Sequence, residues 1–407
     1  MRMTPPHALN FRAVTLKLTT AGESHGPRLT AILEGIPAGL RIDPSFVGAE
    51  LARRQHGYGR GGRMRIEKDE PLFEGGLRGG VTLGSPIAIG ITNRDFANWE
   101  SVMGPLSIDP AASAQKRLTR PRPGHADLAG GQKFGAKDLR DVLERASARE
   151  STARVAAGAV CKLLLRECGI EVRSGVLSLG NVVDQVSPRS FASLEKVRED
   201  SPLRALDAAI EPAMVEAVDR ARKEGETLGG SILVGARGVP AGLGSFASWD
   251  RKLDGRIGQA LLSVPAVKAV EFGSAIEASH GPGSSAHDEI EPDSNGGLRR
   301  RTNRAGGLEA GVTNGEEVIA VAFMKPISTL AKGLDSVDLE TGEPARSAYE
   351  RSDVTAVAAC GVIAEAMLAF VLSDALLEMT GGDRMEDVRR RLEDHRERVR
   401  RYPGRAL

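Results

Sequence analysis

Apolar and polar residues alternate along 13–20, AVTLKLTT, and again along 29–35, LTAILEG. A period of two predicts two strands, joined by the tight loop Ala21 to Gly26. The turn IPAGL follows. Asp43 and Pro44 then open a helix through Leu51, Ala52, Arg53 and Arg54, because a carboxylate can accept the free N–H groups of a first turn and proline fits there. Residues 79–93, GGVTLGSPIAIGITN, hold two short strand-like runs. From Asp138 the period lengthens to that of a helix, predicted to run unbroken to about Cys168 and to end at Gly169. Its alanines and Gly158 keep it slim enough for close neighbours. EVRSGVLSLG reads as a strand, 184–210 as a polar stretch with little pattern, Glu211 to Lys223 as a helix, and GGSILVGARG as another strand. Arg351, Ser352 and Asp353 are placed to cap a second long helix, Val354 to about Met379. Glu365 and Asp374 within it argue against a membrane span. The charged tail from Asp383 carries Met385, Val388, Leu392 and Val399 at helical spacing, which predicts a thin amphipathic helix.

The chain also repeats itself. Gly238-Val239-Pro240-Ala241-Gly242-Leu243 echoes Gly35-Ile36-Pro37-Ala38-Gly39-Leu40, each after an apolar strand and before a helix with an aspartate at its start, Asp43 or Asp250. Matching flanks point to an internal duplication whose halves pack as one unit.

Composition narrows the function. Among 407 residues, 41% are hydrophobic, enough for a substantial core, and Lys+Arg 55 against Asp+Glu 54 leaves +1. No global field draws the chain to nucleic acid or a membrane surface, and 4% aromatics make a poor base-stacking platform. Cys161, Cys168 and Cys360 form no C-x-x-C pair, which fits a reduced, cytoplasmic compartment. The start, MRMTPPHALNF, has no apolar run and reads as a loose extension over 1–10.

Candidate chemistry is concentrated in arginine-bearing loops. His25 sits in a Gly/Ser/Glu loop at a strand end, where a rigid scaffold presents an accessible imidazole. HGYGRGGR, 56–63, follows Arg53 and Arg54 with Arg60 and Arg63 among glycines. It reads as a mobile arginine clamp or, failing that, a solvated turn. Residues 118–154 hold Arg120, Arg122 and His125 in a Pro/Gly loop, then Arg145, Arg149 and Arg154 on the helix, with Asp138 as its cap. Arg145 and Arg149, one turn apart, would face the same way and call for an anion between them. GYGRGG follows a helix and opens none, so it is no dinucleotide loop, and GGVTLGSPIAIGITN lacks the lysine of a phosphate-cradling loop; His287-Asp288-Glu289 lacks a second ligand pair, so no metal is expected.

GESHG at 22–26, RPRPGHAD at 120–127, ERASARE at 144–150, NRAGGLEAGVTNGE at 303–316, MKPIST at 324–329 and RSDVTAV at 351–357 together resemble the chorismate synthase family, in the same order and over nearly the whole chain. The resemblance implies an α+β fold, a β-α-β sandwich with an internal pseudo-repeat and long central helices. It also implies a single domain over 1–407, with 383–407 as a charged helical tail, assembled as a homotetramer. The implied reaction converts 5-enolpyruvylshikimate 3-phosphate to chorismate and phosphate by 1,4-anti elimination, with reduced FMN required although no net redox change occurs. NADPH on the chain itself or a separate flavin reductase would supply the reductant.

Residue by residue, the family pattern gives His25, His125 and Asp353 as catalytic groups. One histidine would protonate the departing phosphate, the other would support the reduced flavin, and Asp353 would act with the flavin in removing the ring proton. Arg54, Arg60, Arg122, Arg149 and Arg351 match substrate or cofactor contacts, a role that planar guanidinium forks suit. Arg145, Ala146, Ser147, Pro265, Ala266, Ala310, Lys325, Pro326, Ile327, Ser328, Thr329 and Arg351 match flavin contacts. Pro265 stands where an amide is usual, which leaves only its carbonyl, and Ala310 replaces a glycine, which is comfortable only if φ is negative.

Overall fold

In the first half the alternation becomes sheet. The strands are β1 (Lys17–Ala21), β2 (Arg28–Glu34), β3 (Leu72–Gly75), the two-residue β4 (Leu77–Arg78) and β5 (Val81–Thr82), and β6 (Ile87–Thr92). An antiparallel sheet of order β1-β2-β6-β3 results, with Lys17 opposite Glu34 and Arg28 opposite Thr92. Leu29, Ala31 and Leu33 turn inward from β2, as a period of two requires. The computed structural model describes residues 16–62, 66–293, 297–350 and 353–402; the expectations for the 1–10 extension, Arg63 and Arg351 lie outside them.

The second half contributes β7 (Glu171–Leu179), β8 (Val182–Val183), β9 (Gly230–Arg237), β10 (Val267–Phe272), the short hairpin strands β11 (Leu308–Glu309) and β12 (Val312–Thr313), and β13 (Val318–Met324). Its antiparallel sheet runs β10-β13-β9-β7-β8. The principal helices are α1 (Pro44–Gln55), α2 (Asp127–Phe134), α3 (Arg140–Ala146), α4 (Ser151–Glu167), α5 (Glu211–Lys223), α6 (Leu253–Leu262), α7 (Val357–Thr380) and α8 (Met385–Arg400). α4 packs on β2 and β6, α7 on β7 and β9, and the two helices pack on each other. At their crossing a Cβ on Gly158 would lie 2.3 Å from Ala366 Cβ and 2.6 Å from its Cα, so only glycine permits that approach. α7 is long and apolar enough to cross a membrane, yet it is almost wholly buried in the protein.

The duplication is visible bond by bond. In the first half Thr82 Oγ1 donates to the Pro37 carbonyl (2.6 Å) and accepts from Leu40 N–H (2.9 Å), while Gly39 N–H donates to the Thr82 carbonyl (3.0 Å). In the second, Thr313 Oγ1 donates to Pro240 (2.7 Å) and accepts from Leu243 N–H (2.8 Å), while Gly242 N–H donates to Thr313 (2.8 Å). The β4–β5 and β11–β12 hairpins, GGLRGGVT and GGLEAGVT, are counterparts in the same register.

Several expectations need correction. The helix foreseen from Asp138 to Cys168 is broken: Ser147 is extended (φ −61°, ψ 141°), and Ala148–Glu150 forms a 3₁₀ turn before α4. The Ala148 carbonyl accepts from Ser151 Oγ (2.5 Å) and from Arg54 Nη2 (2.8 Å), besides the Ser151 N–H that closes the 3₁₀ turn. Arg145 and Arg149 therefore do not share a face. Asp138 still caps locally, accepting the Arg140 N–H at 2.9 Å. Asp250 lies within a 3₁₀ turn, and α6 starts only at Leu253. α7 starts at Val357, which leaves Asp353 ahead of the helix and not its cap. On α8, Val399 is exposed; His395 completes the buried face, its Nε2 on the Ala241 carbonyl at 2.6 Å.

Candidate active site

The loops that end β1, precede α2, divide α3 from α4 and follow β13 converge on one cavity of about 860 Å³. That is near the upper end for small-molecule sites. Leu143, Ala146, Met324, Ile327, Ala359 and Ile363 provide an apolar wall. Around it Arg54, Arg60, Lys116, Arg140, Arg145, Arg154 and Lys325 outnumber the carboxylates Glu150, Glu350 and Asp353. Such a lining suits an anionic ligand with a flat apolar part.

Both predicted histidines line the cavity. His25 Nδ1 lies 2.9 and 3.0 Å from the two oxygens of Glu144, and its ring stacks on Trp99 at 4.1 Å between centroids. His125 Nδ1 lies 2.5 Å from Asp127 Oδ1. Burial works to raise both carboxylates, but hydrogen bonds from the histidines, with Arg140 beside Glu144 and Arg122 beside Asp127, hold them below their usual range.

The arginines divide into two kinds. Arg122 is committed: Nε reaches Asp127 Oδ2 (2.7 Å) and Nη1 reaches Thr329 Oγ1 (2.8 Å), which ties the 118–127 loop to the segment after β13. Arg149 is partly committed, to Asn93 Oδ1 (3.0 Å) and Asp69 Oδ1 (2.6 Å), with its Nη2 making no hydrogen bond among the described residues and standing 3.5 Å from Glu67, and Arg145 is committed to the Thr20 and Gly22 carbonyls. Arg54 differs. Fully buried, it spends Nε on Ser151 Oγ and Nη2 on the Ala148 carbonyl, while Nη1 makes no hydrogen bond among the described residues and stands 3.8 Å from Asp69. Burial, then Arg149 and Arg60, push its pKa down to about 9. A buried cation in that position is relieved by an anion.

Arg60 is held closer than a free clamp would be. Its Nη1 lies 3.2 Å from Asp353 Oδ2, Gly61 N–H donates to Asp353 Oδ1 (2.6 Å), and Val354 N–H donates to the Gly59 carbonyl (2.8 Å). Gly59 has φ +86°, and a Cβ there would meet Val218 at 2.9 Å.

Of the predicted flavin contacts, Arg145, Ala146, Ser147, Pro265, Ala266, Lys325, Ile327, Ser328 and Thr329 line the cavity. Pro326 and Ala310 do not. Ala310 sits at the tip of the β11–β12 hairpin with φ +52°, the left-handed conformation its glycine counterpart Gly79 adopts at +58°. Sequence reasoning missed Glu144, Asp127, Trp99, Arg140 and Lys116. Glu144 and Asp127 stand inside ERASARE and RPRPGHAD, so the motifs pointed at them; nothing in the pattern singled out Trp99.

Comparison with known proteins decides the family. The chorismate synthase family model matches residues 16–377. The chain belongs to the chorismate synthase family. It is 51% identical over 388 residues to the chorismate synthase of Geobacillus kaustophilus (strain HTA426), covering 95% of this chain and 99% of that one. Against chorismate synthase 1 of Bacillus cereus (strain ZK / E33L) identity is 49%, over 95% of this chain and 100% of the relative. A crystal structure of chorismate synthase aligns with a TM-score of 0.76 at 41% identity, covering 95% and 99% of the two chains. The chain is thus an enzyme, a lyase at the last shikimate-pathway step, with a small-molecule substrate and an α+β fold like that of the solved chorismate synthase.

Proposed function

We propose that the cavity binds 5-enolpyruvylshikimate 3-phosphate together with reduced FMN and expels phosphate by a 1,4-anti elimination that leaves chorismate. The observation that carries this reading is the union, in one cavity, of an apolar wall, a cationic lining with Arg54 lacking a full set of partners, and two histidines each seated on a carboxylate. The donor set fits the flavin: Lys325 and Ser328, joined at 2.9 Å, suit an anionic tail, while Ala146, Ile327 and Ile363 suit a ring system. When bound, the reduced flavin supplies electron density to a substrate that is losing phosphate.

The chain's own groups handle charge and protons. Arg54 and Arg60 hold the substrate's anionic groups. One of His25 and His125 gives a proton to the phosphate as the C–O bond breaks with its electron pair, and the other steadies charge on the flavin. Asp353, held by Arg60, assists removal of the ring proton, so a C–H and a C–O bond are exchanged for one C=C bond without net redox change. Arg122 and Arg149 support the reading as organisers of the walls, since both are engaged by buried carboxylates. The fold is inferred to be the family's β-α-β sandwich, a single domain over the whole chain, in a cytoplasmic homotetramer; exposed Phe246 and Trp249 offer apolar surface for self-association. Ala310 and Arg351 keep their family assignment toward FMN as part of the proposal.

An anaerobic assay with photoreduced FMN and the enolpyruvyl phosphate substrate tests the function. Chorismate and phosphate should form in equal amounts with the flavin still reduced. Consumption of one reductant per turnover would identify a redox enzyme and defeat the proposal.

A further inference from the structure

His25 and His125 are mounted alike. In each, Nδ1 meets a buried carboxylate that an arginine also grips: Arg140 Nη1 reaches Glu144 Oε1 at 3.2 Å, and Arg122 Nε reaches Asp127 Oδ2 at 2.7 Å. The His25 mounting is the more fully built. Glu144 Oε2 accepts the His25 backbone N–H at 2.8 Å as well as facing Nδ1, and the Glu144 carbonyl accepts the Ser24 N–H at 2.9 Å. Trp99 covers one face of the imidazole, and the guanidinium of Arg140 lies 5.0 Å above the same indole. Arg140 is held in turn by Glu350 Oε1 at 3.0 Å and by the Lys116 carbonyl at 2.7 Å.

Both oxygens of Glu144 thus face donors that cannot act as acceptors, a backbone N–H and a guanidinium. The carboxyl has no room for its own proton there, so the partner at Nδ1 must donate. We propose that Glu144 is a positioning residue that fixes His25 as the Nδ1–H tautomer and leaves Nε2 to exchange protons with a ligand in the cavity. Arg140 keeps Glu144 in place and Trp99 keeps the ring from turning. The inference rests on His25 being a proton-transfer group in the proposed reaction.

The test separates the two ideas. Full-length enzyme labelled with ¹⁵N in its histidine side chains reports the tautomer of each imidazole, and His25→Ala identifies the His25 signals by their loss. Neutral His25 in the wild type should be Nδ1–H. In Glu144→Gln the amide must set its NH₂ against either Arg140 or the His25 backbone N–H. The His25 signals should therefore shift toward the other tautomer, and kcat should fall roughly 10²- to 10⁴-fold, the range for loss of an orienting carboxylate, with KM changed less than about threefold. An Nε2–H wild type, or a Glu144→Gln enzyme with unchanged tautomer and kcat, overturns the proposal. A changed tautomer with normal kcat does so too, provided His25→Ala is impaired. If His25→Ala is itself fully active, the catalytic reading of His25 falls, while the tautomer result still stands or fails separately. Should Glu144→Gln not fold, the wild-type tautomer decides and Glu144→Asp, which keeps the charge for Arg140, replaces it.

Discussion

Ala310 adopts φ +52° where its counterpart in the first half is Gly79 at +58°, so a methyl group occupies a conformation that glycine accepts freely. An L-residue there is strained by roughly 1–2 kcal/mol, offset in part by the entropy a glycine would lose, and Ala310→Gly should stabilise the fold by about 0.5–1 kcal/mol in denaturant unfolding. Lys325 makes a different prediction. Burial, then the charge of Lys268, lowers its pKa, and an anion favours the charged amine. Affinity for FMN should therefore decline as pH rises through that lowered value, before ordinary lysines titrate near ~10.4. Titrating FMN against pH checks this; Lys325→Arg should move the decline to higher pH, and superimposable curves would remove Lys325 from the anion site. At this scale the sequence named the histidines and arginines but not their duties. Arg122 looks like Arg54 in a string of letters, and only its buried partners Asp127 and Thr329, brought up by the fold, distinguish a wall tie from an anion ligand.

Helices were legible where their ends are local chemistry. α1 starts at Pro44 behind Asp43, which accepts Ser45 N–H at 2.9 Å, and α5 spans Glu211–Lys223 as its pattern implies. The break at Ser147 was not legible, because every residue from Arg140 to Glu167 tolerates a helix and the Ala148 carbonyl at the break is bonded by Arg54, a residue from another element. Between α4 and α7 the close crossing depends on Gly158. Gly158→Ala would press a methyl into the Ala366 backbone and should cost about 1–3 kcal/mol, measurable as a lower unfolding midpoint. Beside that crossing, Glu365 of α7 receives Arg53 of α1 (2.8 and 2.9 Å), Lys162 of α4 (2.6 Å) and Ser174 of β7 (2.6 Å). Burial alone would raise its pKa, but Arg53 and Lys162 hold it well below the usual glutamate value. Its contribution is therefore present above the unfolded value of ~4.3 and is lost as pH falls toward the folded one. Glu365→Ala, which leaves Arg53 and Lys162 to share Glu50 alone, should cost about 3–5 kcal/mol at neutral pH, and its stability should fall less steeply than the wild type's as acid is added.

Across the whole molecule, the duplicated halves meet where the first half's loop 56–62 reaches the lead-in to α7, and the link there is Arg60 on Asp353. Two bonds tie the loop to the lead-in of α7, Val354 N–H to the Gly59 carbonyl and Gly61 N–H to Asp353 Oδ1, and Tyr58 N–H and Oη hold it to the Pro202 carbonyl and Asp219, so the segment read as a mobile clamp is a latch whose catch is itself a proposed catalytic group. The side chain of Arg60 is only about a tenth exposed, which removes it from the class of surface charges worth under ~1 kcal/mol. If the latch holds the carboxylate of Asp353 in its working place, removing either partner disables the other. Arg60→Ala and Asp353→Ala should each lower turnover, and the double variant should be little worse than the more damaged single, a coupling of roughly 0.5–3 kcal/mol. Arg60→Lys should recover little, since an ammonium cannot present the guanidinium fork. Turnover measured for the four members of the cycle, with limited proteolysis of 56–62 alongside, decides the matter. Strict additivity with an unchanged cleavage pattern would make Arg60 and Asp353 independent contributors and return the loop to a cover that acts by itself.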